Sequence, residues 1–229
     1  MSAPREVFVT GGTGYLGRAL IPALLARGHR VRVLARPASL TRVPAGAKAV
    51  AGDALDVASI AASLRPGDTL VQLVGTPHPS PAKEAEFTRV DLVSALAAIE
   101  AARRVGVAHF VYVSVAQPAP VMAAYLAVRA QAERALGEAR LPASVLRPWY
   151  VLGPGHRWPL LLAPLYGVAR LLPRTREGAR RLGLVSLRQM TDALVAAVES
   201  PPPPGTLRLV DVPAIRAARP ATLVAGGAA

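Results

Sequence analysis

The sequence contains no cysteine, which excludes disulfide bonds, thiolate catalysis and zinc–thiolate sites. Aromatic residues make up only 4% of the 229 residues, so the chain offers no platform on which bases could stack, and we expect no nucleic-acid partner. Lysine is also scarce, with Lys48 and Lys83 the only two, and the formal net charge of +13 rests on arginines scattered along the chain. Such a charge is compatible with an anionic membrane or an anionic cofactor.

The chain also lacks an uninterrupted apolar run of membrane-spanning length. Residues 158–172 are apolar but are broken by Pro159, Pro164 and Arg170, so this stretch is too short and too interrupted to cross a bilayer. Peripheral membrane contact remains an alternative, but a pocket lid or wall is the favoured use of the stretch. The first predicted strand begins near residue 6 and leaves no room for a signal peptide, so we expect a cytoplasmic protein. We expect no metal site.

A glycine-rich turn near the amino terminus follows a β-branched apolar strand and precedes a helix. This is the context in which such a turn binds the pyrophosphate of a dinucleotide, because the helix start presents free N–H groups and a positive dipole end. Gly11 is expected to permit the tight turn, Gly14 to let the backbone approach the pyrophosphate, and Gly17 to let the helix pack closely on the strand. The cofactor-binding residues predicted here are Thr10, Gly11, Gly12, Thr13, Gly14, Tyr15, Leu16 and Gly17.

Strand and helix patterns alternate along the first 155 residues. The predicted strands are 6–10, 31–35, 47–51, 69–74, 109–113 and 143–146, and the main helices are 15–27, 83–105 and 122–136. This alternation predicts an α/β fold, a Rossmann-type doubly wound parallel sheet with a small C-terminal annex on the substrate side. We divide the chain into a dinucleotide-binding core (1–155), an annex whose helix (187–198) and strand (206–210) return to the core (156–216), and a flexible tail (217–229).

The ends of the second and third strands predict which dinucleotide binds. An acidic residue at the end of the second strand would hold the ribose 2′-hydroxyl, whereas an arginine accommodates a 2′-phosphate. Arg36 occupies this position and no acid is present, so NADP(H) is preferred, with NAD(H) as the alternative. Asp53, followed by Ala54, ends the third strand and can accept from the adenine amino group, cap the helix beginning near Val57, or do both.

Three further features are candidates for the reacting end of the cofactor. Val74 ends the fourth strand, and Gly75 and Thr76 begin the turn that follows, where all three would lie beside the cofactor. His78, between two prolines, is either an acid–base group or an exposed loop histidine. The helix 122–136 carries Tyr125, Arg129 and Glu133 at spacings of four residues, so these side chains share one face.

Six segments in this order resemble the atypical and extended short-chain dehydrogenase/reductase superfamily, with the greatest likeness to its NAD(P)-binding, NmrA-like and complex-I-subunit-like branch. The segments are TGGTGYLG (10–17), LAR (34–36), GDALD (52–56), VGVAHFVYVS (105–114), YLAVRAQAERAL (125–136) and LRPWYVLGPG (146–155).

The resemblance implies a catalytic group made of Ser114, Tyr125 and Arg129. Ser114 would hold the substrate oxygen, and Tyr125 would exchange a proton with it as hydride moves to or from the nicotinamide. Arg129 stands where active members of the family carry a lysine that lowers the tyrosine pKa and holds the cofactor ribose. Arginine keeps the charge on a larger, planar group, so Arg129 is both a catalytic and a cofactor-binding candidate.

The implied function is an NADP(H)-dependent oxidoreductase that acts on a small hydrophobic substrate, either a carbonyl compound or a quinone. The apolar annex residues that suggest such a substrate are Trp149, Tyr150, Trp158, Leu160, Leu161, Leu162 and Tyr166. The alternative is a non-catalytic protein that binds NADP(H) as a sensor, regulator or assembly factor. In that case Ser114 is only a polar strand end, Tyr125 packs against the cofactor, and Glu133 pairs with Arg129 or Arg134 on the helix face.

Overall fold

A seven-stranded parallel sheet forms the centre of the protein in a computed structural model, which describes residues 3–119, 121–154 and 182–220. The strand order is β3-β2-β1-β4-β5-β6-β9, and every neighbouring pair is parallel. The strands are β1 (Glu6–Thr10), β2 (Arg30–Ala35), β3 (Lys48–Ala51), β4 (Thr69–Gln72), β5 (His109–Val113), β6 (Ala143–Leu146) and β9 (Leu207–Val210). The order reverses between β1 and β4, so a crevice opens there at the carboxyl ends of the strands.

Helices cover both faces of this sheet. They are α1 (Tyr15–Leu25), α2 (Val57–Ala61), α3 (Glu84–Glu86), α4 (Val93–Val105), α5 (Ala123–Glu138), α6 (Leu187–Glu199) and α7 (Val212–Ala217). Apolar side chains of α1, α6 and α7 share one core cluster with the sheet, and those of α2, α4 and α5 share a second cluster on the opposite face. The central strands are therefore buried on both faces, which explains their nearly continuous apolar sequences. The doubly wound α/β prediction is confirmed.

The helix predicted over 83–105 is interrupted. A single π-helical turn, Phe87–Leu92, joins α3 to α4. Turns of this kind are rare in proteins, and those that do occur are often found at functional sites. Here the turn buries Phe87 and Asp91 together, and the acid would be costly to bury without partners.

Smaller elements differ from the sequence prediction or add to it. Strand β4 ends at Gln72 and not at residue 74, because the chain turns away to form the wall of a cleft. Two three-residue strands, β7 (Tyr150–Leu152) and β8 (Leu184–Ser186), pair in a separate parallel sheet that no sequence pattern indicated. Short 3₁₀ turns occupy Pro37–Arg42 and Pro81–Lys83. The predicted strand 206–210 becomes β9, the seventh strand of the main sheet beside β6.

Parts of the predicted annex and tail lie outside the described residues. These parts include Trp158, Leu160, Leu161, Leu162, Tyr166 and the end of the tail from residue 221. The division into core, annex and tail stays a prediction. Within the described part of the chain, no helix is long and apolar enough to cross a membrane.

Candidate cofactor and active site

The glycine-rich turn leaves β1 through a tight, close-packed loop. Gly11 has a φ of +74°, and a Cβ there would lie 2.7 Å from the carbonyl carbon of Leu73. The turn is closed by the Gly14 N–H, which donates to the Gly11 carbonyl over 3.0 Å. A Cβ on Gly17 would lie 2.4 Å from the Cα of Gly12. Gly17 therefore lets α1 pack closely on the loop at Gly12, which follows β1, whereas the sequence predicted a close contact with the strand.

Gly14 differs from the other glycines of the loop. It is exposed, and among the described residues beyond its chain neighbours the one atom within 4 Å of a Cβ placed there is the Gly11 carbonyl oxygen at 3.2 Å. Its side-chain position therefore faces open space at the start of α1. A pyrophosphate in this space would meet backbone and the positive end of the helix.

A cleft of about 370 Å³ opens at the switch between β1 and β4. Eight predicted cofactor residues line it: Gly11, Thr13, Gly14, Arg36, Asp53, Ala54, Val74 and Gly75. The remaining predicted residues of the turn, Thr10, Gly12, Tyr15, Leu16 and Gly17, are not among the lining residues. The sequence prediction missed other parts of the wall, namely Leu34, Ala35, Ser39, Gly52, Leu55, Leu73, Pro77 and Val90. Ser39 could have been predicted as a wall residue, because it lies three positions after Arg36 in the segment that follows β2.

The residues at the ends of β2 and β3 have distinct roles. Arg36 is exposed at the cleft and begins the 3₁₀ turn after β2. Helix α2 is capped by Asp56, whose carboxylate accepts from the backbone N–H groups of Ala58 and Ser59. Asp53 accepts from the Leu55 N–H over 2.9 Å. The suggestion that Asp53 caps the helix is therefore wrong, and its carboxylate stays at the cleft wall.

His78 is exposed, with a φ of 50°, and is not among the residues lining the cleft. Thr76 is buried behind the wall, where its N–H and its hydroxyl both donate to the Asp91 carboxylate, over 2.9 and 2.6 Å. These two hydrogen bonds hold Thr76 in a fixed orientation.

Arg129 is buried in an ion pair with Asp91, with 2.5 Å between Nη2 and Oδ1. Its Nη1 donates to the Tyr112 hydroxyl and to the Val113 carbonyl, both over 3.1 Å. Burial alone would lower the pKa of Arg129, but Tyr125, Tyr112 and Asp91 outweigh burial and raise it. The guanidinium thus stays charged. Its Nε–H has no acceptor within the described part of the chain.

Tyr125 lies directly against this charge. The Arg129 guanidinium is 5.0 Å from the centre of the Tyr125 ring, and the ring of Phe87 packs on the same tyrosine with centroids 5.0 Å apart. The tyrosine is half-buried, so it combines a fixed orientation with access to solvent. The guanidinium and the ring form a cation–π contact.

Ser114 and Glu133 form a second polar group. The buried Ser114 hydroxyl donates to Glu133 Oε1 over 2.5 Å, and Arg147 forms a two-pronged ion pair with the same carboxylate. Glu133 therefore pairs with Arg147, and neither Arg129 nor Arg134 is its partner. Among the described contacts, none joins Ser114 to Tyr125.

Asp91, behind the cleft wall, is a further site residue that the sequence analysis missed. Its signal was an acid inside an apolar helical stripe, next to Val90 and Leu92. In the described residues, His, Asp and Glu side chains form no group of three that could hold a metal ion.

A family model described as NAD(P)H-binding matches residues 11–156. The chain is 31% identical over 222 residues to a 3-diazoavenalumate denitrifying reductase of Streptomyces sp, covering 85% of this chain and 72% of that protein. It is 30% identical over 213 residues to a ceramide reductase of Caulobacter vibrioides, covering 92% of this chain and 65% of the relative.

A solved structure of MoeE5 in complex with UDP-glucose and NAD has the same fold. It superposes with a TM-score of 0.65 at 22% identity, covering 92% of this chain and 79% of MoeE5. The carboxyl-edge cleft with its glycine turn is where this fold takes a dinucleotide. The family match, the two reductase relatives and the cleft together make the chain a member of the NAD(P)H-binding family and an NAD(P)-binding oxidoreductase of the short-chain dehydrogenase/reductase type.

Proposed function

We propose that the protein is an NADP(H)-dependent reductase that acts on a hydrophobic carbonyl compound or quinone. The observation that carries this proposal is the position of Tyr125 against the guanidinium of Arg129. Arg129 in turn forms an ion pair with Asp91, which accepts a hydrogen bond from Thr76 behind the cleft wall. A side chain that donates a proton must be held in place and be accessible. Tyr125 meets both conditions, because Arg129 and Phe87 pack on its ring and the residue is half-buried.

Tyr125 would give its hydroxyl proton to the substrate oxygen. Arg129 keeps its charge in the buried ion pair and would hold the Tyr125 ring in place from below. The unpartnered Nε–H of Arg129 is a donor suited to a ribose hydroxyl. When bound, the nicotinamide supplies the hydride. The Ser114 hydroxyl donates its one hydrogen bond to Glu133, so only the lone pairs of its oxygen are left to contact substrate.

The preference for NADP(H) over NAD(H) is supported by Arg36. Its guanidinium is exposed at the cleft after β2, where a ribose 2′-phosphate would lie. The acid in the neighbouring wall, Asp53, lies at the end of β3 and accepts from the Leu55 N–H. A guanidinium can pair with a phosphate through two hydrogen bonds.

The hydrophobic nature of the substrate is supported by aromatic side chains after β6. Trp149 and Tyr150 are half-buried and pack edge to face, with ring centroids 5.5 Å apart. The names of two relatives, a ceramide reductase and a ketoreductase of a farnesylated quinoline oxide, also support an apolar substrate.

The proposal is tested by a screen of apolar ketones and quinones that follows NADPH absorbance. We expect turnover with at least one class and loss of turnover in Tyr125→Phe. If the parent and Arg129→Lys, which restores the residue typical of the family, both oxidise no NADPH with any compound, the protein is not a reductase of this class.

A second function, binding NADP(H) without turnover, is favoured by one observation. The two polar residues expected to serve the substrate are bonded within the protein, Ser114 to Glu133 and Arg129 to Asp91. Under this alternative Tyr125→Phe leaves every measurable property of the cofactor complex unchanged, and the screen stays negative.

A further inference from the structure

Asp91 is a buried acid in the π-helical turn, with 1% of its surface exposed. A carboxylate removed from water is costly unless partners replace the water. Asp91 has three such donors, from two separate parts of the chain: the N–H and hydroxyl of Thr76 and the guanidinium of Arg129. The charge is thus compensated by the loop after β4 on one side and by α5 on the other.

The loop bonded to Asp91 is also the wall of the cofactor cleft. Val74, Gly75 and Pro77 line the cleft, and Thr76 between them points inward to the carboxylate. Val90, the neighbour of Asp91 in the chain, lines the same cleft. Any displacement of the carboxylate therefore moves two walls of the cleft together.

Gly75 packs directly on the ion pair. A Cβ at this position would lie 2.6 Å from Nη2 of Arg129 and 3.2 Å from Oδ1 of Asp91. The absence of a side chain at Gly75 lets the cleft wall rest on the charged pair itself. The wall position is consequently determined by polar contacts and not by apolar packing alone.

The same π-helical turn reaches the proton donor by a second route. Phe87, four residues before Asp91, packs on the ring of Tyr125, and Arg129 lies over that ring. One turn of helix therefore holds the cleft wall through Asp91 and the tyrosine through Phe87.

We propose that Asp91 is a positioning residue for the cofactor cleft and acts through Thr76 and Arg129. It holds the 74–77 wall where it can contact the cofactor, and it holds the guanidinium under Tyr125. Its effect on dinucleotide affinity follows from the cleft geometry, and only its effect on turnover rests on the proposed function.

A second buried ion pair provides a matched control. Asp68 also has 1% of its surface exposed, and its Oδ2 lies 2.5 Å from Nη2 of Arg32. Asp68 also accepts from a backbone N–H, that of Arg65, over 2.7 Å. It precedes β4, whereas Asp91 lies beyond the carboxyl end of that strand. The two pairs match in burial and chemistry but differ in distance from the cleft.

The experiment compares Asp91→Asn with Asp68→Asn in the full chain. Both variants are expected to unfold at a lower temperature. Calorimetric titration should show that Asp91→Asn weakens NADPH binding about tenfold or more, whereas Asp68→Asn stays within twofold of the parent. Hydrogen exchange of the Thr76 amide should be faster in Asp91→Asn only. Thr76→Val keeps the backbone hydrogen bond to Asp91 and the shape of the side chain, so it should weaken NADPH binding by a smaller factor. This variant provides the test if Asp91→Asn does not fold.

Two results would overturn the inference. One is a folded Asp91→Asn, or a Thr76→Val, that binds NADPH as tightly as the parent. The other is an equal loss of affinity in Asp68→Asn, because the effect would then be one of general stability. A parent that binds NADPH but turns over no substrate refutes the proposed reductase activity alone, and the affinity comparison still decides the role of Asp91.

Discussion

Buried charged side chains lie at both ends of the strands of the seven-stranded sheet. The end where the strands finish is called the carboxyl edge and the end where they begin the amino edge, and only at the carboxyl edge do these charges lie behind the wall of the cleft. At the carboxyl edge, Asp91 and Arg129 pair behind the wall of an open cleft. At the amino edge, Arg32 pairs with Asp68 and Arg27 with Glu199, and these contacts join segments far apart in the chain.

The difference teaches how one kind of interaction serves two purposes. A buried ion pair contributes little net stability, because desolvation offsets its attraction, but breaking it is costly. At the amino edge, breaking an ion pair should reduce the stability of the fold alone. At the carboxyl edge it should also displace the cleft wall, because Thr76 donates to the carboxylate of Asp91. Changes at the carboxyl edge should therefore alter cofactor binding or turnover, and changes at the amino edge should alter stability.

The largest effect is expected from Gly14→Val. Its φ of −81° suits any residue, and the one described atom outside its chain neighbours that a Cβ there would meet is the Gly11 carbonyl oxygen. The fold should therefore persist while the side chain fills the space of the pyrophosphate. We expect affinity for NADPH and NADH to fall by about 100-fold or more, or about 2.7 kcal/mol. Titration calorimetry and thermal unfolding measure the two quantities.

The control for Gly14 is Gly67→Ala at the amino edge. Gly67 has a φ of +87°, and no described atom outside its chain neighbours lies within 4 Å of a Cβ placed there. The variant should therefore lose about 1–2 kcal/mol of stability, because a side chain disfavours this backbone conformation, and it should bind both cofactors normally. Unchanged cofactor affinity in folded Gly14→Val would limit the glycine turn to a structural role.

Tyr125→Phe should come next in size. Phenylalanine keeps the packing on Phe87, so NADPH affinity should be unchanged, whereas removal of the proton donor should lower turnover by about 10²–10⁴-fold. Steady-state kinetics with the substrate found by screening measures the loss. Full activity in Tyr125→Phe would remove this residue from the mechanism and make Thr76 the next candidate.

Arg36→Ala should have a smaller and more selective effect. Loss of a charge-assisted contact with the 2′-phosphate should weaken NADPH binding about tenfold to hundredfold and leave NADH binding unchanged. Arg30→Ala removes the same charge from the first residue of the same strand, where Arg30 pairs with Glu6, and should change neither affinity. Equal affinities of the parent for the two cofactors would contradict the NADP(H) preference.

The smallest effect on cofactor binding is expected from His109→Gln at the amino edge. This substitution should change stability alone. Burial lowers the pKa of His109 to about 3, aided by the charges of Arg208 and Arg5, and Nε2 lies 3.0 Å from the Ser144 hydroxyl. Between pH 6.5 and 3 the unfolded chain takes up a proton at this histidine that the folded protein does not, so stability falls as pH falls.

The measurement is urea unfolding of the parent and His109→Gln at several pH values. Over this interval the parent should lose about 1.4 kcal/mol more per pH unit than the variant. Parallel pH profiles would show that the imidazole takes up protons equally in both states.

The fold was largely predictable because its signals are local. Strands β1, β5 and β6 match their predicted bounds, since their residues are β-branched or apolar and turn residues end them. The π-helical turn and the pair of strands β7 and β8 were not predicted. A π turn leaves the apolar stripe of a helix almost intact, and a three-residue strand is too short to show a period.

What the sequence by itself determined is the doubly wound sheet, the glycine turn and the arginine after β2, because each depends on neighbours in the chain. Only the tertiary structure decided which buried charges meet. Arg129 pairs with Asp91 across 38 residues, and Glu133 pairs with Arg147. A sequence shows which residues carry charge, but a buried charge selects its partner by the geometry of packing and by the cost of being left without one.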